Sequence, residues 1–143
     1  MQIIKKIWWI LVNKAWEVLI FKEKLDWKKE WYNIPKWTYN ENLDKTLWLW
    51  LVREIYEETN LKNIEIKDVF NIYPKYYDDC ISLLIIFLVK VNNFSEISNK
   101  NIGWDEFIYY YKWINRKDFI KLSTDDFVDK RIYEILKDYF DLL

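Results

Sequence analysis

A chain that folds back on itself several times usually relies on glycine where φ must be positive, and this one has a single glycine, Gly103, in 143 residues that include ten tryptophans. An average composition would supply about ten glycines over this length. The shortage is felt at the turns. Asn13-Lys14-Ala15-Trp16 separates two apolar runs and ends where a hairpin ordinarily carries glycine. Asp26-Trp27 stands where Asp-Gly would be the usual turn pair.

Between these turns the pattern is that of strands. Ile3 to Val12 is rich in Ile and Val, and Glu17 to Lys22 runs through Val18-Leu19-Ile20-Phe21. Ile64 to Tyr73 and Ile81 to Val91 read as further strands joined by Pro74 to Asp79, and Phe107 to Ile114 as the last. Glu41 to Thr59 reads as a long helix with Asn40 or Asn42 as cap, because Leu43, Leu47, Leu51 and Ile55 recur every four positions. Asp118-Phe119 reads as a short turn. Ser123 or Thr124 is expected to cap a second helix, with Asp125 and Asp126 in its first turn and Phe127, Ile132, Ile135, Leu136 and Phe140 as its apolar set. Asn92 to Asn101 is a polar loop placed at the surface. No repeat, low-complexity stretch or linker divides the sequence, so residues 1–143 are expected to form one domain. Strands with one helix between them and one after them imply a sheet packed between helices, an α/β class.

Charge excludes some functions. Lys+Arg 22 against Asp+Glu 23 gives a net charge of -1, so no basic field calls for nucleic acid and no acidic tail for disorder. The lone Cys80 rules out an internal disulfide and suits a reducing compartment. At the edge of an apolar strand it reads as a small buried hydrophobe rather than a nucleophile. Ile7 to Val12 is shorter than a signal-peptide core and Ile81 to Val89 shorter than a membrane span. A soluble, cytoplasmic protein with no membrane partner is expected.

Chemistry concentrates at Arg53-Glu54-Ile55-Tyr56-Glu57-Glu58-Thr59-Asn60-Leu61. On a helix Glu54, Glu57 and Glu58 project from one face within a turn. Like charges at that spacing cost about 0.2–0.5 kcal/mol per pair, so the group invites a cation. With His 0 and Cys 1, the donors are oxygens, which points to Mg2+ or Mn2+ and away from zinc. The plainer reading is a solvated acidic helix face. The whole nonapeptide shifts the weight, because it resembles the second half of the Nudix box, G-x5-E-x7-R-E-U-x-E-E-x-G-U with U a bulky aliphatic residue. Arg53, Glu54, Ile55, Glu57, Glu58 and Leu61 match, and Asn60 stands where the family has glycine.

The first half departs further. Counting back from Arg53, the family's earlier Glu falls on Lys45. Counting forward from Pro35-Lys36-Trp37, which resembles the family's Pro-Lys-Gly, it falls on Leu43. Asp44 and Glu41 are the nearest acids. Trp31 to Pro35 resembles the lead-in to the box, and Lys112-Trp113 the family's strand-ending tryptophan.

The resemblance to the Nudix (MutT-like) hydrolases covers roughly Ile3 to Phe119 and implies an α/β/α sandwich with a mixed β-sheet. It implies metal-assisted hydrolysis of the diphosphate linkage in a nucleoside diphosphate joined to a group X, a small-molecule nucleotide substrate. Glu57 and Glu58 would be the primary ligands of Mg2+ (or Mn2+), Glu54 a ligand or the base that orients water, and Arg53 the residue that positions the carboxylates. Asp105 or Glu106 would stand where some members place a further acid. Tyr73, Tyr76, Tyr77 or Trp31 would be available to stack on a base. Many relatives are dimers, so a homodimer stays open. The alternative is a catalytically impaired Nudix-like nucleotide-binding or interaction module, which Trp37 and Lys45 favour.

Trp9, Trp16, Trp27, Trp37 and Trp50 share one property: turn chemistry, close packing or the family pattern asks for a small residue there. One explanation is a reading frame translated with UGA as tryptophan from a source that reads it as glycine. One glycine and ten tryptophans together come near the average glycine number.

Overall fold

The structure is a computed structural model and describes residues 2–24, 30–34, 36–37, 53, 64–91 and 108–143. Seven strands form one mixed sheet: β1 (Gln2–Val12), β2 (Val18–Lys24), β3 (Glu30–Asn33), β4 (Lys36–Trp37), β5 (Ile64–Tyr76), β6 (Cys80–Val91) and β7 (Ile108–Ile114). Their order is β3-β2-β1-β6-β5, with β4 also against β1 and β7 against β2. The centre is the parallel pair β1 and β6, in continuous register from Gln2 opposite Cys80 to Val12 opposite Lys90. Parallel strands are covered on both faces and read as unbroken apolar runs. Ile7 to Val12 is such a run, and every one of its side chains is buried.

Alternation along β1 divides the core in two. Trp8, Ile10 and Val12 point to one face, where Leu84, Ile86, Ile114, Ile132, Ile135, Leu136 and Phe140 join them. Ile7, Trp9 and Leu11 point to the other, with Leu19, Val89 and Val91. Trp9 is fully buried there. It sits mid-strand opposite Phe87, where an indole fills volume and no positive φ is required.

Position 16 is different. Trp16 has φ 61 and is the one non-glycine residue with positive φ among the described residues. The turn that forces this is built on Asn13, which is 2% exposed. Its Oδ1 accepts from the Ala15 and Glu17 N–H groups, both at 3.0 Å, and its Nδ2 donates to Glu17 Oε1 at 2.9 Å. The Trp16 N–H donates to the Asn13 carbonyl at 3.0 Å. Beyond the turn the two arms part. β1 and β2 pair only at Val12 and Val18, because β4 lies against β1 at Ile7 and Trp8 and β2 runs antiparallel between β3 and β7.

Three expectations are corrected. Pro74 to Tyr76 belongs to β5 rather than to a connecting loop, which shrinks to Tyr77-Asp78-Asp79. Proline is tolerated because β5 is an edge strand, where a missing N–H breaks no ladder on the open side. Asp118-Phe119 lies inside a short helix, α1 (Arg116–Ile120), closed by reciprocal bonds between Asn115 and Asp118. Ser123 and Thr124 do not start the C-terminal helix. The Ser123 N–H donates to the Asp126 carboxylate at 2.8 Å and closes one 3-10 turn, Thr124–Asp126. Phe127 then runs extended, and the Val128 N–H donates to the Tyr32 carbonyl at 3.0 Å. The helix proper, α2 (Lys130–Asp141), is capped by Asp129, whose side chain accepts from the Arg131 N–H. Ile132, Ile135, Leu136 and Phe140 are its buried face, as the spacing predicts.

A left-handed non-glycine residue costs about 1–2 kcal/mol, while the contact of Lys90 Nζ with the Trp16 ring at 5.0 Å returns about 0.5–1 kcal/mol. Trp16→Gly is therefore expected to stabilise the protein by about 0.5–1 kcal/mol, read as a higher urea midpoint; a lower midpoint would contradict this account of the turn.

Candidate functional site

Of the acidic cluster read from the sequence, the structure describes its neighbour Arg53, which is helical and exposed. Glu54, Glu57, Glu58, Lys45, Asp44, Glu41, Asp105 and Glu106 lie outside the described residues, as do Trp27 and Trp50. The strand that opens the box region is described. β4 pairs Trp37 with Ile7 and Lys36 with Trp8, at the middle of β1.

Directly next to that pairing the sheet forms the floor of a pocket of about 190 Å³. Register assembles it. Lys6 of β1 faces Leu84 of β6, which faces Tyr73 of β5; one step along, Ser82 faces Lys75. These side chains lie on the face that α2 covers, and Arg131, Glu134 and Ile135 close the pocket from above, with Tyr77 at its rim.

The cations here are held in place. Arg131 Nε lies 3.1 and 3.0 Å from the two Asp129 oxygens and its Nη2 2.6 Å from Oδ2. The guanidinium carbon lies 4.9 Å from the centre of the Trp8 ring. The hydrogen bonding with Asp129 raises the Arg131 pKa despite burial. Lys75 Nζ lies 5.4 Å over the Tyr77 ring. The Tyr73 hydroxyl donates to Asp138 Oδ2 at 2.8 Å, tying β5 to α2. Burial first, and that hydrogen bond second, push Tyr73 up to about 12.

The structure thus brings Tyr73 and Tyr77, two of the expected stacking residues, to one pocket. It leaves Tyr76 on the opposite sheet face at 74% exposed and Trp31 away on β3. Lys6, Lys75 and Arg131 were not singled out from the sequence. Alternation from buried Trp8 places Lys6 on the α2 face, while Lys75 and Arg131 join it only through strand register and the docking of α2. Among the described residues no three His, Cys, Asp or Glu side chains gather as metal ligands.

Solved structures share this fold. A NUDIX hydrolase from Nitrosomonas europaea superposes with a TM-score of 0.68 at 16% identity, covering 99% of this chain and 96% of that one. The chain has the Nudix fold. A C. elegans Ap4A hydrolase in a binary complex gives 0.63 at 19% identity, with 97% and 96% covered. The NUDIX domain of Shewanella oneidensis NrtR, complexed with ADP ribose, gives 0.63 at 14%, with 96% and 88% covered. No family model matches the sequence, and no curated protein matches it either. The Nudix fold, an α/β/α sandwich about a mixed sheet, is the one that the Arg53 to Leu61 pattern implies.

Two tyrosines of this Nudix fold titrate late. Tyr139, whose hydroxyl donates to the Trp16 carbonyl at 2.8 Å, is pushed up to about 12 by burial, as Tyr73 is. A raised folded-state pKa contributes stability below the unfolded value of about 10 that is lost as pH rises through the folded value. Urea unfolding is expected to show stability falling between pH 10 and 12, with a shallower fall in Tyr73→Phe and Tyr139→Phe; equal slopes in all three proteins would contradict the assignment.

Proposed function

We propose that this protein is a metal-dependent hydrolase that cleaves the diphosphate linkage of a nucleoside diphosphate joined to a group X. One coincidence supports the reading. The Nudix fold rests on backbone shape at low identity, and the six box matches from Arg53 to Leu61 fall in the chain between β4 and β5.

Glu57 and Glu58 would hold Mg2+ or Mn2+, because an all-carboxylate donor set suits a hard cation. When bound, the ion would neutralise phosphate charge and favour deprotonation of a water. Glu54 would share in ligation or accept the water's proton, and Arg53, with its planar fork, would fix the orientation of the carboxylates. The pocket beside β4 would take one end of the substrate, its tyrosines forming an apolar wall for a base or sugar. The Ap4A of one structural neighbour's name and the ADP ribose bound to another are both nucleoside diphosphate derivatives, which supports that substrate class.

The test is Mg2+-dependent turnover across nucleoside diphosphate derivatives. Glu57→Gln is expected to lower kcat/KM at least about a hundredfold, and Trp37→Gly to raise it by letting backbone approach the phosphates. Nucleotide binding without turnover by either the wild type or Trp37→Gly would replace the enzyme with a binding module.

A further inference from the structure

The pocket between α2 and the sheet carries more positive charge than a neutral base or sugar requires. We propose that it selects substrates bearing an anionic group in addition to the diphosphate, a phosphate ester or a carboxylate, with Lys6 and Lys75 as the residues that determine the preference and Arg131 as their fixed companion. This rests on the hydrolase reading for the rest of the substrate.

Lys6, Lys75 and Arg131 line the space against one carboxylate, Glu134. Asp129 pairs with Arg131 from its own helix terminus, so the charge left to the pocket is that of the two lysines less the Glu134 carboxylate. They stand on β1 and β5 with β6 between them, and the β6 residues of that floor, Ser82 and Leu84, are uncharged. Strand spacing sets the two backbones about 10 Å apart, a gap that two lysine stems bridge onto a single oxyanion. Lys6 is half-buried, where attraction to an anion exceeds its value in open water.

The tyrosines suit a wall better than a reader of bases. The Lys75 ammonium already covers one face of Tyr77, and the Tyr73 hydroxyl is committed to Asp138. The volume, about 190 Å³, is below the roughly 300–1,000 Å³ of pockets that enclose whole ligands. It accommodates one charged end of a substrate.

Matched pairs test this with the whole protein. UDP-glucuronate and UDP-glucose differ by a carboxylate on X, and NADPH and NADH by a phosphate on the nucleoside ribose. Dissociation constants are measured by calorimetry without Mg2+, and turnover separately with it. The anionic member of at least one pair should bind about tenfold more tightly, since a hydrogen bond to a charged group contributes about 1.5–3 kcal/mol. Whichever pair discriminates identifies the end of the substrate that enters the pocket. Lys6→Gln and Lys75→Gln keep the polar stems at half-buried and exposed positions. Each should pull the ratio toward one. Equal affinities within both pairs, a ratio that survives both substitutions, or no binding of any of the four compounds overturns the proposal. Turnover without discrimination would retain the hydrolase and discard the pocket's role. Discrimination without turnover would do the reverse.

Discussion

The parallel pairing of β1 with β6 is the constraint on which the rest depends. It buries Ile7 to Val12 from both sides and so creates two unlike faces from a single strand. On one face α2 closes over Trp8, Ile10 and Val12, and Arg131 is carried to the Trp8 ring by the same docking. The pocket follows where that packing thins: Lys6 succeeds the buried residues toward the strand's start, and α2 continues above it. β4 is hydrogen-bonded at Ile7 and Trp8. Pocket and β4 are therefore neighbours because they use adjacent lengths of one strand.

The strands were legible because burial writes itself directly into sequence. β1 and β6 each carry a long apolar run, Ile7 to Val12 and Leu83 to Val89, and β2 and β7 carry shorter ones. Their pairing was not legible, since nothing local says that β2 leaves β1 after Val18 to join β3 and β7. The start of α2 was misread for a chemical reason. Ser123 with Asp126 is a sound helix-start signal, but here it closes a single 3-10 turn, and the extended Phe127 breaks off before Asp129 opens the real helix. The box was legible from six residues at fixed spacing, while the cationic lining was not, because Lys6, Lys75 and Arg131 come from three elements that only the register brings together.

The scarce glycine reads differently at different positions once backbone angles are known. Trp16 adopts the left-handed conformation that glycine enters without penalty, imposed by the Asn13 bonds on either side of it. Trp9 lies in a regular strand and fills its part of the core. The composition as a whole invites one explanation, but the physical demand for glycine is local. At position 16 it is a demand of the backbone; at position 37 it would be one of close approach to phosphate.

The activity proposed for this Nudix fold is hydrolysis of a diphosphate linkage. The most direct measurement is turnover with Mg2+ in 18O-labelled water, followed by mass spectrometry of both products. Hydrolysis as proposed places one 18O atom in one of the two phosphate-bearing products and none in the rest of group X. A folded protein that releases no product, or releases product with the label outside phosphate, would contradict it.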